Sequence, residues 1–458
     1  MRLKALPAPP FLVPAIIEAL LTSKYKAITS VIPGEADAYC AHFARKHGGI
    51  ILTSDSDLLV HDLGEAGRVI LFKDIDSIHL PSKGKCLKVQ QYQPFAIAAK
   101  LGLPNLVSLA YFMSEDNHCT FADATKLAKE RHAGTREFTD FREQYDSLPI
   151  LSSLAVEYLS ASKRPVFGLL SQLDPRISEL VHQIIMKQTC SAGEGRTLDM
   201  YLPFLIDDPT RTSAWRAGSS IRTLAYSLLQ ALDPGIAHIH EYERKGTRVA
   251  YTALPLCSIN DAPTRIKQVM EDFGGTPSLV SQIGRRPITE WRLRAARSVT
   301  LSNLENGKAT STASDLVRLV TSNREGVLSW TYIHTSAQLQ AVLYSFRLLL
   351  QVTRVVLAFS NEPPREGLHI PILEGLVAML GDLPSLTELL DETSQPTVDE
   401  TASMKSVIAE MLQSLGAPED TFKTTSSKQK KKRKKKEEHA SETTPPAWRQ
   451  NNMFGSLA

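Results

Sequence analysis

The sequence predicts an α/β fold at its N-terminal end, followed by a mostly α-helical region and a disordered basic tail. Three observations carry that prediction. Short apolar runs alternate with amphipathic stretches over residues 1–130, helical spacing dominates over 131–415, and residues 416–458 turn polar and lysine-rich.

The first region reads element by element. Residues 16–21 carry a helical pattern, 27–32 a strand, 35–46 a helix, and 50–53 and 68–72 two further strands. Both later strands are continuous apolar runs, as expected for a parallel sheet covered on both faces. In such sheets ligands bind beyond the carboxyl ends of the strands. Further along, residues 178–186, 219–232, 264–273, 314–321 and 336–350 place apolar residues at helical spacing, and a strand pair is expected within 237–254. Residues 389–402 are polar and contain a proline, which reads as a linker, and 404–415 reads as a short amphipathic helix.

Size and composition narrow the function classes. A chain of 458 residues, 43% hydrophobic and 22% charged, has room for two or three domains and a sizeable core. Its five cysteines (Cys40, Cys86, Cys119, Cys190, Cys257) form no C-x-x-C pair and read as thiols in a reducing compartment. The apolar stretch 341–359 contains Arg347 and Arg354, so a buried helix is expected there and no membrane partner. Prolines 7, 9, 10 and 14 interrupt the apolar N-terminal run, which argues against a secretory signal. The net charge of +3 hides an asymmetry: residues 1–427 carry −3 and the tail from 428 carries +6. Nucleic-acid binding must therefore come from local patches or from the tail.

The richest window is 33–59. It holds two carboxylate pairs at one spacing, Glu35 and Asp37 after a Pro-Gly turn, and Asp55 and Asp57 after an apolar strand. Four acids at element ends repel one another unless cations share them. Carboxylate oxygens and water suit Mg²⁺, and two such ions side by side stabilise the attacking and leaving oxygens of a phosphodiester displacement. A structural reading stands beside this one: Glu35 favours a helix N-terminus, and Asp55 and Asp57 are good turn caps. On extended chain, Asp55 and Asp57 would point to one side.

The phrase IPGEADAYCAHFARKHGGIILTSDSDLLV resembles the internal nuclease motif of the flap-endonuclease (XPG-like, PIN-like) superfamily. The segments PPFLVPAIIEAL and YLPFLIDDPTRTSAWRAGSSIRTLAYSLL are similar to segments of its asteroid branch. The resemblance implies a metal-dependent, structure-specific DNA endonuclease of DNA repair, hydrolysing phosphodiester bonds. It implies Mg²⁺ or Mn²⁺, two ions in a complete site, and single-stranded, flap or overhang DNA as partner. Glu35, Asp37, Asp55 and Asp57 match the catalytic and metal-binding acids, with Asp37 a shorter substitute for glutamate. Asp116, in LAYFMSEDNH, falls where the family's next metal-site aspartate stands, without its flanking glycine and tyrosine. The resemblance also implies two earlier strands bearing further aspartates, for which residues 1–4 have no counterpart. The sheet is thus expected to be an incomplete PIN-like one: a truncated nuclease domain over 1–130, an asteroid-type helical region over 131–415, and the tail over 416–458. The alternative is a non-catalytic nuclear nucleic-acid-binding or scaffold protein that retains a remnant of the nuclease fold.

Three other stretches bear on function. Residues 284–297 hold Arg285, Arg286, Arg292, Arg294 and Arg297 with Trp291 and one acid. Arginines and an aromatic ring can grip phosphate and stack a base, whereas an arginine-rich helix face with Trp291 packed inward is the commoner arrangement. His238, His240 and Glu241 have metal-like composition, but only two histidines share a strand face, so a polar strand edge is expected. The run Lys428, Lys430, Lys431, Lys432, Arg433, Lys434, Lys435 and Lys436 suits a nuclear-localisation signal, and the hydrophobics of the last residues suit a protein-docking motif.

Overall fold

The computed structural model describes residues 9–29, 31, 36–80, 84–116, 118–130, 135–146, 169, 172–187, 195–274, 287–323, 328–359, 369–390 and 397–422. These form a small α/β unit and a larger helical body that carries a three-stranded sheet.

In the α/β unit, α2 (Ala36–His47) is followed by β1 (Gly49–Thr53) and β2 (Gly67–Leu71). Gly48 and Gly49 make the turn between α2 and β1, at φ +69° and +116°. The Gly48 N–H closes the helix on the Ala44 carbonyl, an αL cap open to glycine without strain. β1 and β2 pair in parallel, Gly49 opposite Gly67 through Thr53 opposite Leu71. β3 (Ile75–Leu80) and β4 (Gly84–Val89) form an antiparallel pair. Four helices follow: α3 (Pro94–Leu101), α4 (Val107–Glu115), α5 (Phe121–Glu130) and α6 (Arg136–Asp146).

Two expectations for this unit do not hold. Where a strand is expected at 27–32, residues 30 and 32 lie outside the described ones, and the described residues form a 3-10 turn, Lys26–Ile28, with Ile28 82% exposed. Its N–H groups close locally on Ser23 and Tyr25, and no β partner exists for it among the described residues. The parallel pair is also not covered on both faces. Ile51 packs with Ala41 and Ala44 of α2, but on the other face Ile50 and Leu52 of β1 are 54% and 51% exposed, while Ile70 of β2 on that face is buried, so the uncovered part is β1.

The helical body is built on α12 (Trp330–Phe359), whose buried residues run from His334 to Val356. It is long and apolar enough to cross a membrane, yet 72% of its apolar window is buried inside the protein. Around it lie α7 (Pro175–Lys187), α8 (Ser219–Leu228), α9 (Ala262–Gly274), α10 (Pro287–Glu305), α11 (Ala313–Thr321), α13 (Ile370–Met379), α14 (Leu386–Leu390) and α15 (Val398–Ser414). Gly218, just before α8, lets the chain touch α12: a Cβ there would meet the Ser345 hydroxyl at 2.4 Å. α15 begins earlier than its apolar pattern, because Thr397 and Glu400 form a capping box. Residues 416–422, expected in the tail, continue the fold: Glu419–Phe422 is a 3-10 turn, and the Thr421 hydroxyl lies 3.2 Å from that of Thr310. The basic run 428–436 lies outside the described residues.

α1 (Leu12–Thr22) belongs to this body by its contacts. Phe11, at its start, stacks on Tyr344 at 5.0 Å and meets Trp215 edge-on. The Glu18 carboxylate accepts the Leu386 N–H at 3.0 Å and pairs with Arg347 at 3.1 Å.

β5 (Arg196–Tyr201), β6 (Ile236–Lys245) and β7 (Arg248–Pro255) form the second sheet in that order, β5 parallel and β7 antiparallel to β6. β6 is therefore the central strand, not a polar edge. Glu241 points inward from it, 2% exposed, to a bidentate pair with Arg222: Nε to Oε1 at 2.5 Å and Nη2 to Oε2 at 2.9 Å. Tyr226 donates its hydroxyl to the same Oε1 at 2.6 Å, and Arg222 donates to Ser345 at 3.0 Å.

Candidate active site

Of the four acids in the 33–59 window, the structure describes three; Glu35 lies outside the described residues. Asp37 sits half-buried in the first turn of α2, where a carboxylate complements the helix dipole. Its charge acts on Cys40, one turn on, whose thiol is raised first by burial and then by Asp37.

Asp55 and Asp57 stand beyond the carboxyl end of β1, exposed to solvent. The chain there is not extended. The Asp55 N–H donates to the Thr53 hydroxyl at 3.0 Å, and the Asp57 N–H donates to the Asp55 carboxylate at 3.0 Å. These side-chain turns curl the chain into a 3-10 turn, Asp57–Leu59, a local competition that aspartate and threonine commonly win at strand ends. Of the capping role expected of these residues, the structure shows it at Asp55, whose carboxylate accepts the Asp57 N–H, and the two acids remain neighbours. Partial burial raises the Asp57 carboxyl above its usual range, the charge of Asp55 raises it further, and His61 opposes both.

Two residues join the pair that the sequence did not single out. His61, 7% exposed, is pushed below its ordinary value by burial, against the pull of Asp57. Tyr145, near the end of α6, stacks edge-on over His61 with ring centroids 5.0 Å apart. Its phenol is raised by burial, then by Asp57 and Asp55. His61 follows Asp57 by one helical turn and carried a local signal. Tyr145 reaches the site only through the packing of α6 onto α4, which no local pattern reveals.

Asp116 caps the end of α4 and accepts the His118 N–H at 2.8 Å. Among the described residues, the charges that act on Asp57 are those of Asp55, which raises it, and of His61, which lowers it. Among the described residues, no group of three or more His, Cys, Asp or Glu side chains gathers as a metal centre. What the structure brings together is a carboxylate pair walled by an imidazole and a phenol.

The arginine-rich stretch lies on α10. Trp291 is 1% exposed and donates its indole N–H to the Asp382 carbonyl at 3.1 Å, so its face is closed to a base. Arg292 donates to Ser322 and to the Leu389 carbonyl, and Arg294 pairs with Glu290. Arg297 donates to the Asp272 carbonyl at 3.1 Å. Arg285 and Arg286 lie outside the described residues. His240 stacks on Tyr251 at 4.1 Å and lies 3.5 Å from Asp199 on the open face of the second sheet, whereas Glu241 is buried on the other face.

A family model described as XPG domain containing matches residues 8–256, more than half of the chain. No curated protein and no solved structure matches it. The matched span takes in α1, the acid-bearing α/β unit, and the second sheet with the Arg222–Glu241 pair. The chain belongs to the XPG-domain-containing, asteroid-like family of XPG-like PIN nucleases.

Proposed function

We propose that this chain is a divalent-metal-dependent hydrolase of phosphodiester bonds in DNA, built on a PIN-like sheet, with Asp55 and Asp57 at the centre of its site. The observation that carries the reading is the pair itself: two carboxylates held beyond a parallel strand, the Asp57 N–H donating to the Asp55 carboxylate, in a chain of a nuclease family. The pair fits one hydrated Mg²⁺ or Mn²⁺, since Mg²⁺ commonly takes only one or two carboxylates and keeps water and substrate phosphate for the rest of its shell. Such an ion supplies positive charge at the phosphoryl oxygen and acidifies an attacking water.

The residues do the positioning. Mutual repulsion of Asp55 and Asp57 is relieved by a dication, so the site prefers one. Burial keeps His61 neutral near pH 7, which leaves the acid pair its negative charge. Tyr145 packs edge-on against His61 beside the pair, and its phenol lies within the field of both carboxylates. Glu35, Asp37 and Asp116 are the acids proposed to complete the shell, and a second ion, when substrate brings its own phosphate oxygens.

The test is cleavage of single-stranded and flap DNA with Mg²⁺ or Mn²⁺ by wild type and by Asp55→Ala/Asp57→Ala. Cleavage lost in the double variant supports the reading. Equal behaviour of the two chains removes it.

A second reading, a non-catalytic nuclear nucleic-acid-binding or scaffold protein, is favoured by the turn that engages Asp116 and by the lack of a three-ligand group among the described residues. DNA binding that persists in EDTA with no turnover under any metal supports it, and metal-dependent turnover excludes it. Nuclear delivery by the 428–436 run belongs to both readings and is tested by the distribution of a fluorescent fusion with and without that run.

A further inference from the structure

The helical body contains a cleft of about 720 Å³, and no residue of the α/β unit lines it. That volume is typical of a ligand site. Its walls carry Arg216 from the turn before α8, Arg294 and Arg297 from α10, and Lys308 beyond α10, against two acids, Asp272 and Glu305. Arg216 pairs with Glu243 at 2.8 Å, and Arg294 pairs with Glu290. The bonds of the other two cations go to neutral acceptors. Arg297 donates to a backbone carbonyl at 3.1 Å, and the Lys308 ammonium donates to the Thr212 hydroxyl at 3.2 Å. A cation held by a neutral acceptor keeps its charge for an anion.

The rest of the lining is rich in donors. Ser219 and Ser220 open α8 and Ser298 and Ser302 line α10, while the amides of Asn303 and Gln338 form a buried floor. An apolar ligand would strip these groups of water without replacing their bonds. A phosphate oxygen instead accepts from guanidinium, ammonium and hydroxyl together. The ring of Phe346 in the lining is 5% exposed, which leaves no open face for a base. The site therefore suits backbone phosphate rather than base identity.

We propose that this cleft holds phosphodiester groups of a single-stranded nucleic acid, as a second contact apart from the acid pair. The nucleic-acid source of the phosphate rests on the family reading above, and the concave shape admits one strand more readily than a duplex.

The experiment titrates the full chain, in EDTA, with a fluorescein-labelled single-stranded oligodeoxynucleotide at several salt concentrations. The variants are Arg297→Glu/Lys308→Glu and Ser220→Glu, with thermal melting as control. The charge-reversed pair is expected to weaken binding at least about tenfold. It should also flatten the log affinity against log salt slope by about 1.4, at roughly 0.7 per phosphate contact on a single strand. Ser220→Glu puts an acid in the first turn of α8, where it suits the helix dipole. It should weaken binding without lowering the melting temperature, an outcome that a structural role alone does not give. Wild-type affinity and slope in both cleft variants would overturn the proposal, as would a wild type that does not bind. Inorganic pyrophosphate is the second probe. If the cleft variants lose pyrophosphate and keep the oligonucleotide, the cleft serves a small phosphorylated molecule and the proposal fails. Absence of metal-dependent cleavage, with oligonucleotide binding intact and cleft-dependent, removes only the hydrolase reading.

Discussion

Glu241→Gln tests the buried Arg222–Glu241 ion pair of the helical body. Arg222 and Glu241 are 1% and 2% exposed, and the pair is bidentate, with Tyr226 and Ser345 satisfying further atoms and Trp215 lying 5.2 Å from the guanidinium. Burial opposes the Arg222 charge, and Glu241 restores it and raises the guanidinium above its usual range. Replacing the carboxylate by its neutral amide keeps the shape and leaves the cation buried without a counter-charge. Breaking such a pair from one side costs about 3–5 kcal/mol. At roughly 2–4 °C per kcal/mol for a body of this size, the melting temperature falls by about 6–20 °C. The assay is urea and thermal unfolding followed by tryptophan fluorescence, since Trp215 and Trp291 are both buried in the helical body. Arg222→Met should cost a similar amount. The double variant Arg222→Met/Glu241→Met removes both charges and should recover most of the loss, because apolar replacement of a whole buried pair is often neutral. Single variants within about 1 kcal/mol of wild type, or a double variant as unstable as the worse single one, would refute the reasoning.

Four further outcomes are expected. Asp57 has a raised folded-state pKa, so its contribution is complete below the unfolded carboxyl range and lost as pH rises through the raised value. Asp57→Asn should therefore melt higher than wild type at pH 7, the gap should narrow as pH falls toward 4, and added Mg²⁺ should stabilise wild type but not the variant, all read by thermal melting. His61 is depressed, so its contribution is present above the ordinary imidazole value and lost as pH falls through the depressed one; His61→Gln should remove part of the drop in melting temperature between pH 8 and pH 5.5. Ile50→Thr/Leu52→Thr replaces exposed apolar groups on β1 and should leave stability within about 0.5 kcal/mol while lowering self-association in light scattering. Thr397→Ala removes the capping box of α15 and should cost about 1 kcal/mol in urea unfolding.

Helix and strand identity was legible wherever one face carries the pattern, as in α2, β1, β2 and α12. Boundaries were legible only where side-chain chemistry writes them. Thr397-x-x-Glu400 states the start of α15, a signal that the apolar spacing alone passed over. The expected strand at 27–32 failed because a strand is a pairing, and the sequence carries propensity but no partner. The acid pair was legible as composition but not as conformation. A short aspartate side chain bonds its own backbone, and Asp55 curls the chain that its apolar neighbours would extend. Tyr145 and the basic cleft were not legible, because each is assembled by tertiary packing from residues far apart in sequence. The buried role of Glu241 was hidden for a related reason. His238-Ile239-His240-Glu241 reads as polar until the sheet shows which alternate positions face inward.

The Glu18–Leu386 hydrogen bond joins positions 368 residues apart. During synthesis at about 5–20 residues per second, α1 leaves the ribosome roughly 20–70 seconds before its partner on α14 is made. Phe11 meets Trp215 much earlier but also needs Tyr344 to complete its aromatic cluster. Over that interval its apolar side stays open to water, while the two hydrophobic clusters of the α/β unit close within residues 41–141. The order of completion therefore inverts the order along this stretch: α1 precedes the α/β unit in the chain and settles after it. A helix in that position is the natural place for a chaperone to hold.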